Sequence, residues 1–177
     1  MDGNVIPVGE GTTIIVKASG DLFLQGETQM EVRFQSGEDR IKVNQSNDTL
    51  YIETHASLDL SVPRSVPVIV EKTGGSAFLQ DLDQMLVIQK VGGDLALRRV
   101  GSVRLDKVGG SCMVEDANQS LDIQKIGGDL TLREVVSPVH IGSIGGGGDL
   151  QVLGGGAVEV RAGGDLRVDR KSTRLNS

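Results

Sequence analysis

The chain of 177 residues holds one cysteine, two histidines, four prolines and no tryptophan, and only 2% of it is aromatic. Each scarcity excludes something. A lone cysteine, Cys112, cannot build an internal disulfide framework. No stretch approaches the ~20 consecutive apolar residues of a membrane helix, so no membrane segment is expected. Phe23, Phe34, Tyr51 and Phe78 are too few for the platforms on which sugars or single-stranded nucleic acids stack. His55 and His140 lie far apart without clustered partners, which argues against a metal site. Basic residues are also outnumbered, 18 Lys and Arg against 24 Asp and Glu, and a net charge of −6 suits a phosphate backbone poorly. Nothing spaces Ser, His and Asp as nucleophilic catalysis would need. The expectation is a protein that is not an enzyme, with no cofactor, no metal and no nucleic-acid partner.

What the chain has is glycine, 25 residues of it. There is no Gly-X-Y period, and 38% of the chain is hydrophobic, so the glycine punctuates a folded single domain. The stretch GGDLALRRVGSVRLDKVGGSCMVEDA, residues 92 to 117, shows the pattern. Glycine pairs open at 74, 92, 109, 127, 147 and 163, at spacings of 18, 17, 18, 20 and 16. After each pair, Ala77, Leu95, Cys112, Leu130, Leu150 and Leu166 share one column. Leu79, Leu97, Val114, Leu132, Val152 and Val168 share another. The second halves carry Leu86 and Ile88, Val103 and Leu105, Leu121 and Ile123, Val139 and Ile141, Val158 and Val160. Period two is strand spacing, so each repeat reads as two short strands of about five residues with one face inward. The fold expected is all-β: a single-chain β-solenoid of parallel-stacked rungs of 16–20 residues with Gly-Gly-Asp or Gly-Gly-Ser turns.

Upstream, ASGDLFLQGE sets Gly20, Asp21, Leu22 and Leu24 as in the later repeats, and RIKVNQSNDTLYIE offers two alternating strands around a turn. Residues 1–73 are expected to form irregular N-terminal coils that cap the stack, and residues 74–168 the regular repeats. The segment DRKSTRLNS, residues 169–177, breaks the pattern and resembles a translated sequencing adapter. It is expected to be a non-native tail on a truncated domain whose last rung is open and self-associates. The opening MDGNVIPVGE lacks the basic and apolar regions of a secretory signal, which points to the cytoplasm.

The Gly-Gly-Asp corner has three physical uses. Glycine tolerates positive φ at a turn, and Asp accepts hydrogen bonds from nearby backbone N–H groups. Calcium-binding repeats instead read G-G-x-G-x-D, whereas here Asp directly follows the pair. Ser76 and Ser111 also interrupt the column of Asp94, Asp129, Asp149 and Asp165, and Ca²⁺ wants six to eight oxygens. An anion nest would have to compete with the Asp itself. Two carboxylates on adjacent rungs, about 4.8 Å apart, repel by about 0.9 kcal/mol in water, which needs no cation. The structural use is favoured, with Lys90, Lys107 and Lys125 as a basic column able to neutralise the corner.

On the outward positions, Gln80, Arg98, Glu115 and Arg133 form one column and Asp81, Arg99, Asp116 and Glu134 the next. Alternating signs suit a solvated ladder and not the carboxylate cluster of a polysaccharide-cleaving β-helix. Cys112 falls in an inward column and is expected to be buried and inert. The candidate binding residues are Phe78, Ala96, Met113 and Thr131, an apolar stripe on the outer face, and the column Lys90, Lys107 and Lys125.

The order SGDLFLQGE, TLYIE, LSVPRSVPVIVEKTGG and then GGDLxL rungs resembles the bacterial putative-adhesin, or toastrack-like, domain family over roughly residues 10 to 168. The resemblance implies a bacterial β-solenoid of the cell envelope with no established chemistry. Two functions stay open. One is a binding or adhesion module whose partner is an unknown protein or surface ligand. The other is an intracellular structural or polymer-forming scaffold.

Overall fold

The computed structural model describes residues 4–9, 11–36, 41–117, 119–136, 139–153 and 158–171. Among these there are nineteen strands and no helix. The first eight are β1 (Asn4–Pro7), β2 (Thr13–Ala18), β3 (Leu22–Glu27), β4 (Glu31–Ser36), β5 (Ile41–Gln45), β6 (Thr49–Thr54), β7 (Leu58–Pro63) and β8 (Val68–Thr73). The repeats follow as β9 (Ala77–Leu82), β10 (Leu86–Val91), β11 (Leu95–Val100), β12 (Val103–Val108), β13 (Cys112–Ala117) and β14 (Leu121–Ile126). The last are β15 (Leu130–Val136), β16 (Val139–Ile144), β17 (Gly148–Leu153), β18 (Val158–Ala162) and β19 (Leu166–Lys171).

The strands form two sheets that face each other across one core, and from β6 onward the chain alternates between them. The ten-stranded sheet runs β1-β4-β7-β3-β9-β11-β13-β15-β17-β19, and the nine-stranded sheet β18-β16-β14-β12-β10-β8-β2-β6-β5. From β9 onward every pairing is parallel, which makes the fold an all-β solenoid of stacked rungs. The N-terminal coils keep the same two sheets in a different order: β2 and β3 lie between β6 and β7 on one side and β8 and β9 on the other. Beyond them β4 and β5 pair antiparallel with β7 and β6, and β1 pairs antiparallel with β4. Strand β19 continues to Lys171, so residues 169–171 pair with residues 151–153, while residues 172–177 lie outside the described residues.

A regular rung buries three side chains per strand where the alternation predicts two. In β11 these are Leu95, Leu97 and Val100, and in β10 Leu86, Ile88 and Val91. The strands are six residues long, one more than expected, because the chain bends and brings a further residue inward. In the ten-stranded sheet the bend is a residue in left-handed conformation. Asp81, Arg99, Asp116 and Glu134 have φ of 61°, 51°, 59° and 53°. Each costs about 1 kcal/mol or more; burying Leu82, Val100, Ala117 or Val135 behind it offsets that cost. Arg99 also makes a two-pronged ion pair with Asp81, at 2.5 and 3.1 Å.

The glycine pairs therefore serve a purpose other than positive φ, which among the described glycines only Gly11 shows. A Cβ on Gly109 would stand 2.6 Å from the carbonyl oxygen of Gly92, one rung away. The corner backbones approach too closely for any side chain.

The register also corrects one alignment. Leu130 pairs with Gly148 and Leu132 with Leu150, so the fifth pair is Gly145 and Gly146, at spacings of 18 on both sides. Gly148 takes the inward position expected for Leu150, Leu150 takes that of Val152, and Asp149 stands beside Thr131, outside the acidic column.

Candidate binding groove

The turn residue after each glycine pair has a backbone N–H that lies between the strand ladders of adjacent rungs. From the pair at Gly74 to the pair at Gly145 a side chain one rung back accepts it. Ser76 N–H donates to Asp21 Oδ1 at 2.9 Å, Asp94 N–H to Ser76 Oγ at 3.3 Å, and Ser111 N–H to Asp94 Oδ1 at 2.9 Å. Asp129 N–H then donates to Ser111 Oγ at 3.3 Å, and Gly147 N–H to Asp129 Oδ1 at 2.9 Å. A side-chain oxygen of the right length satisfies the amide, so Ser can alternate with Asp. The alternation puts the carboxylates two rungs apart, about 9.6 Å, and their repulsion in water falls to about 0.4 kcal/mol.

The lysine column makes no direct contact with these carboxylates. Lys90, Lys107 and Lys125 stack in register on β10, β12 and β14 and are exposed. Among the described residues none of them forms an ion pair. The corner amides, and not the lysines, are what the carboxylates hold.

Two positions along each strand from the Asp and Ser column lies the apolar stripe. Phe78, Ala96, Met113 and Thr131 stand side by side on β9, β11, β13 and β15. Phe23 of β3 extends the row, its ring centroid 6.5 Å from that of Phe78. Phe23 is 54% exposed, Phe78 37% and Met113 40%, high for apolar side chains held in a sheet. Together the two columns line a groove of about 520 Å³ that runs along the stacking axis. Its floor is Phe23, Phe78, Ala96, Met113 and Thr131, and one wall is Asp21, Ser76, Asp94, Ser111 and Asp129. Cys112 lies beneath the floor, buried, and burial pushes its thiol up to about 12.

Four residues of the floor stand in one outward column of the sequence, and Phe23 joins them once Asp21 and Leu22 are placed with the later repeats. The Asp and Ser column, structural by its sequence pattern, also lines the groove. A second apolar row, Tyr51, Ile15, Ile69 and Val87 on the nine-stranded sheet, was missed because the permuted strand order brings it together. Those four are half-buried. Farther along that row stand Arg104, Asp122, His140 and Glu159, with His140 Nδ1 2.9 Å from Glu159 Oε2. Among the described residues no three His, Cys, Asp or Glu gather as metal ligands, and no helix is long and apolar enough to cross a membrane.

Fold and groove define a two-sheeted parallel β-solenoid with an apolar, acid-walled cleft on one outer face. Solved structures to which the chain is similar include a putative cell adhesion protein from Clostridium sporogenes ATCC 15579, with 10% identity, a TM-score of 0.36 and coverage of 96% of this chain and 99% of that one. A putative adhesin from Bacteroides fragilis NCTC 9343 has 13% identity and a TM-score of 0.42, covering 96% of each chain. A putative adhesin from Parabacteroides merdae ATCC 43184 has 10% identity and a TM-score of 0.34, covering 97% of this chain and 93% of that one. No protein-family model and no curated protein matches the chain.

Proposed function

We propose that the chain is a non-enzymatic binding module of adhesion type and that the groove on the ten-stranded sheet is its ligand site. The observation that carries this reading is the row of exposed apolar side chains, two of them phenylalanines, lining a continuous cleft. Such a row is costly to leave in water unless a partner covers it. The envelope location goes with the resemblance of the repeats to the adhesin domain family. To test the reading, wild-type protein is applied to arrays of peptides and glycans beside Phe78→Ser, Met113→Glu and, as an outer-face control, Arg104→Ser. Binding lost in the first two and kept in the third supports the groove. Binding unchanged by both groove substitutions sinks it.

A further inference from the structure

We infer that the groove takes an extended, proline-rich peptide with a cationic side chain at every third residue. The inference rests on the groove being a ligand site and names what enters it. Its two rails run parallel along the stacking axis. One is apolar, and the other presents a carboxylate only at Asp21, Asp94 and Asp129, on alternate rungs. All three are exposed, and the bond each makes to the backbone occupies Oδ1. The partner is therefore cationic where it meets this wall. A second copy of the same face would oppose carboxylate to carboxylate.

The spacing selects the conformation. Carboxylates two rungs apart repeat at about 9.6 Å along the groove. A β-strand returns a side chain to the same face every second residue, about 6.7 Å, and cannot stay in step. A polyproline II segment rises about 3.1 Å per residue with three residues per turn, so its same-face side chains repeat at about 9.3 Å. Seven residues with cations at the first, fourth and seventh positions span about 18.6 Å, against about 19.2 Å from Asp21 to Asp129. The faces between the cations carry proline rings, which suit a floor of Phe23, Phe78, Ala96 and Met113. Such a segment is already extended before binding, so little ordering entropy is lost.

The test uses three synthetic probes titrated into the full chain with a fluorescent label: Arg-Pro-Pro-Arg-Pro-Pro-Arg, the same residues reordered as Arg-Pro-Arg-Pro-Arg-Pro-Pro, and an all-proline heptamer. The first is expected to bind at least tenfold more tightly than the second, to weaken as salt rises, and to outbind the third. Asp94→Asn keeps the Oδ1 that accepts the Ser111 amide and removes only the charge, so it is expected to weaken the first probe three- to tenfold without unfolding. Equal affinity for the two arginine orders overturns the inference, as does an Asp94→Asn protein that binds unchanged. Failure of all three probes overturns it as well. An array ligand still lost on Phe78→Ser would then leave the groove a site for different chemistry, whereas an array ligand indifferent to that substitution removes both readings.

Discussion

Residues 127–144 and 145–162 are repeats of equal length opened by the same glycine pair, yet they do not make equal rungs. In the first, Leu130, Leu132 and Val135 are buried on one sheet and Val139, Ile141 and Ile144 on the other. In the second, Gly148 takes the place of Leu130, and Val158, Val160 and Ala162 are only half-buried. The left-handed corner is also missing. Glu134 has φ of 53°, but β17 runs from Leu150 to Val152 without the extra residue, and its register against β15 shifts there. Repeat length and glycine punctuation therefore set the pitch of the stack, while three inward positions per strand and a bent corner make a rung that holds its neighbours.

The largest effect that separates the two rungs is cavity formation. Ile141 and Val160 are register partners in one column, the first buried and the second half-buried. Ile141→Ala is expected to cost about 3 kcal/mol and Val160→Ala less than about 1 kcal/mol, read from denaturant midpoints. Equal losses would show that the last rung is packed as tightly as the one before it.

Next come the glycines. A Cβ on Gly127 would lie 2.5 Å from the carbonyl oxygen of Gly109, a backbone atom that cannot step aside. One on Gly148 would meet the Cδ1 of Leu166 at 2.8 Å and of Ile144 at 3.2 Å, the ends of side chains that can rotate. Gly127→Ala should destabilise by about 2 kcal/mol, while Gly148→Ala should be neutral or gain a few tenths through the unfolded chain. A reversed order in thermal unfolding would mean that the pairs are turn glycines after all.

Periodicity in the chain made the two sheets, the parallel stacking and the first two inward columns legible, because a buried strand face needs apolar residues at period two. It hid the third column, since the chain bends after the second inward residue; in the ten-stranded sheet one left-handed residue shifts the phase, and nothing in Asp81, Arg99, Asp116 or Glu134 announces that conformation. The pair at Gly147 misled because four consecutive glycines, 145–148, offer three places to start a rung. The floor of the groove was readable from the same columns that give the core. Its acidic wall was not, because alternation of Asp with Ser reads as an interrupted motif until the hydrogen bonds show both doing one job.

Cys112 stands in the inward column that Gly148 leaves empty two rungs later. Its thiol is pushed up to about 12 by burial, whereas in the unfolded chain it titrates near 9. A folded value above the unfolded one means that the stability it contributes is complete below about pH 9 and is lost as pH rises toward 12. At pH 10 the loss should be about 1 kcal/mol, absent in Cys112→Val, and a thiol reagent should label the native protein only as fast as it opens. Rapid native labelling at pH 8 would place the sulfur at the surface of the groove.

The smallest effect lies where the regular rungs meet the permuted coils. In the third inward column of the nine-stranded sheet, Val91, Val108, Ile126 and Ile144 are apolar, but Thr73, which stands between Val91 and Ala18, is fully buried and its Oγ1 has no partner among the described residues. A buried hydroxyl without a hydrogen bond loses its hydration and gains nothing in return. Valine has nearly the same shape, so Thr73→Val should raise stability by up to about 1 kcal/mol and make the junction resemble a central rung. A loss of that size in the denaturant midpoint would mean that the hydroxyl is bonded in solution, and that the coils are joined to the repeats by a polar contact where β8 and β10 show an apolar one.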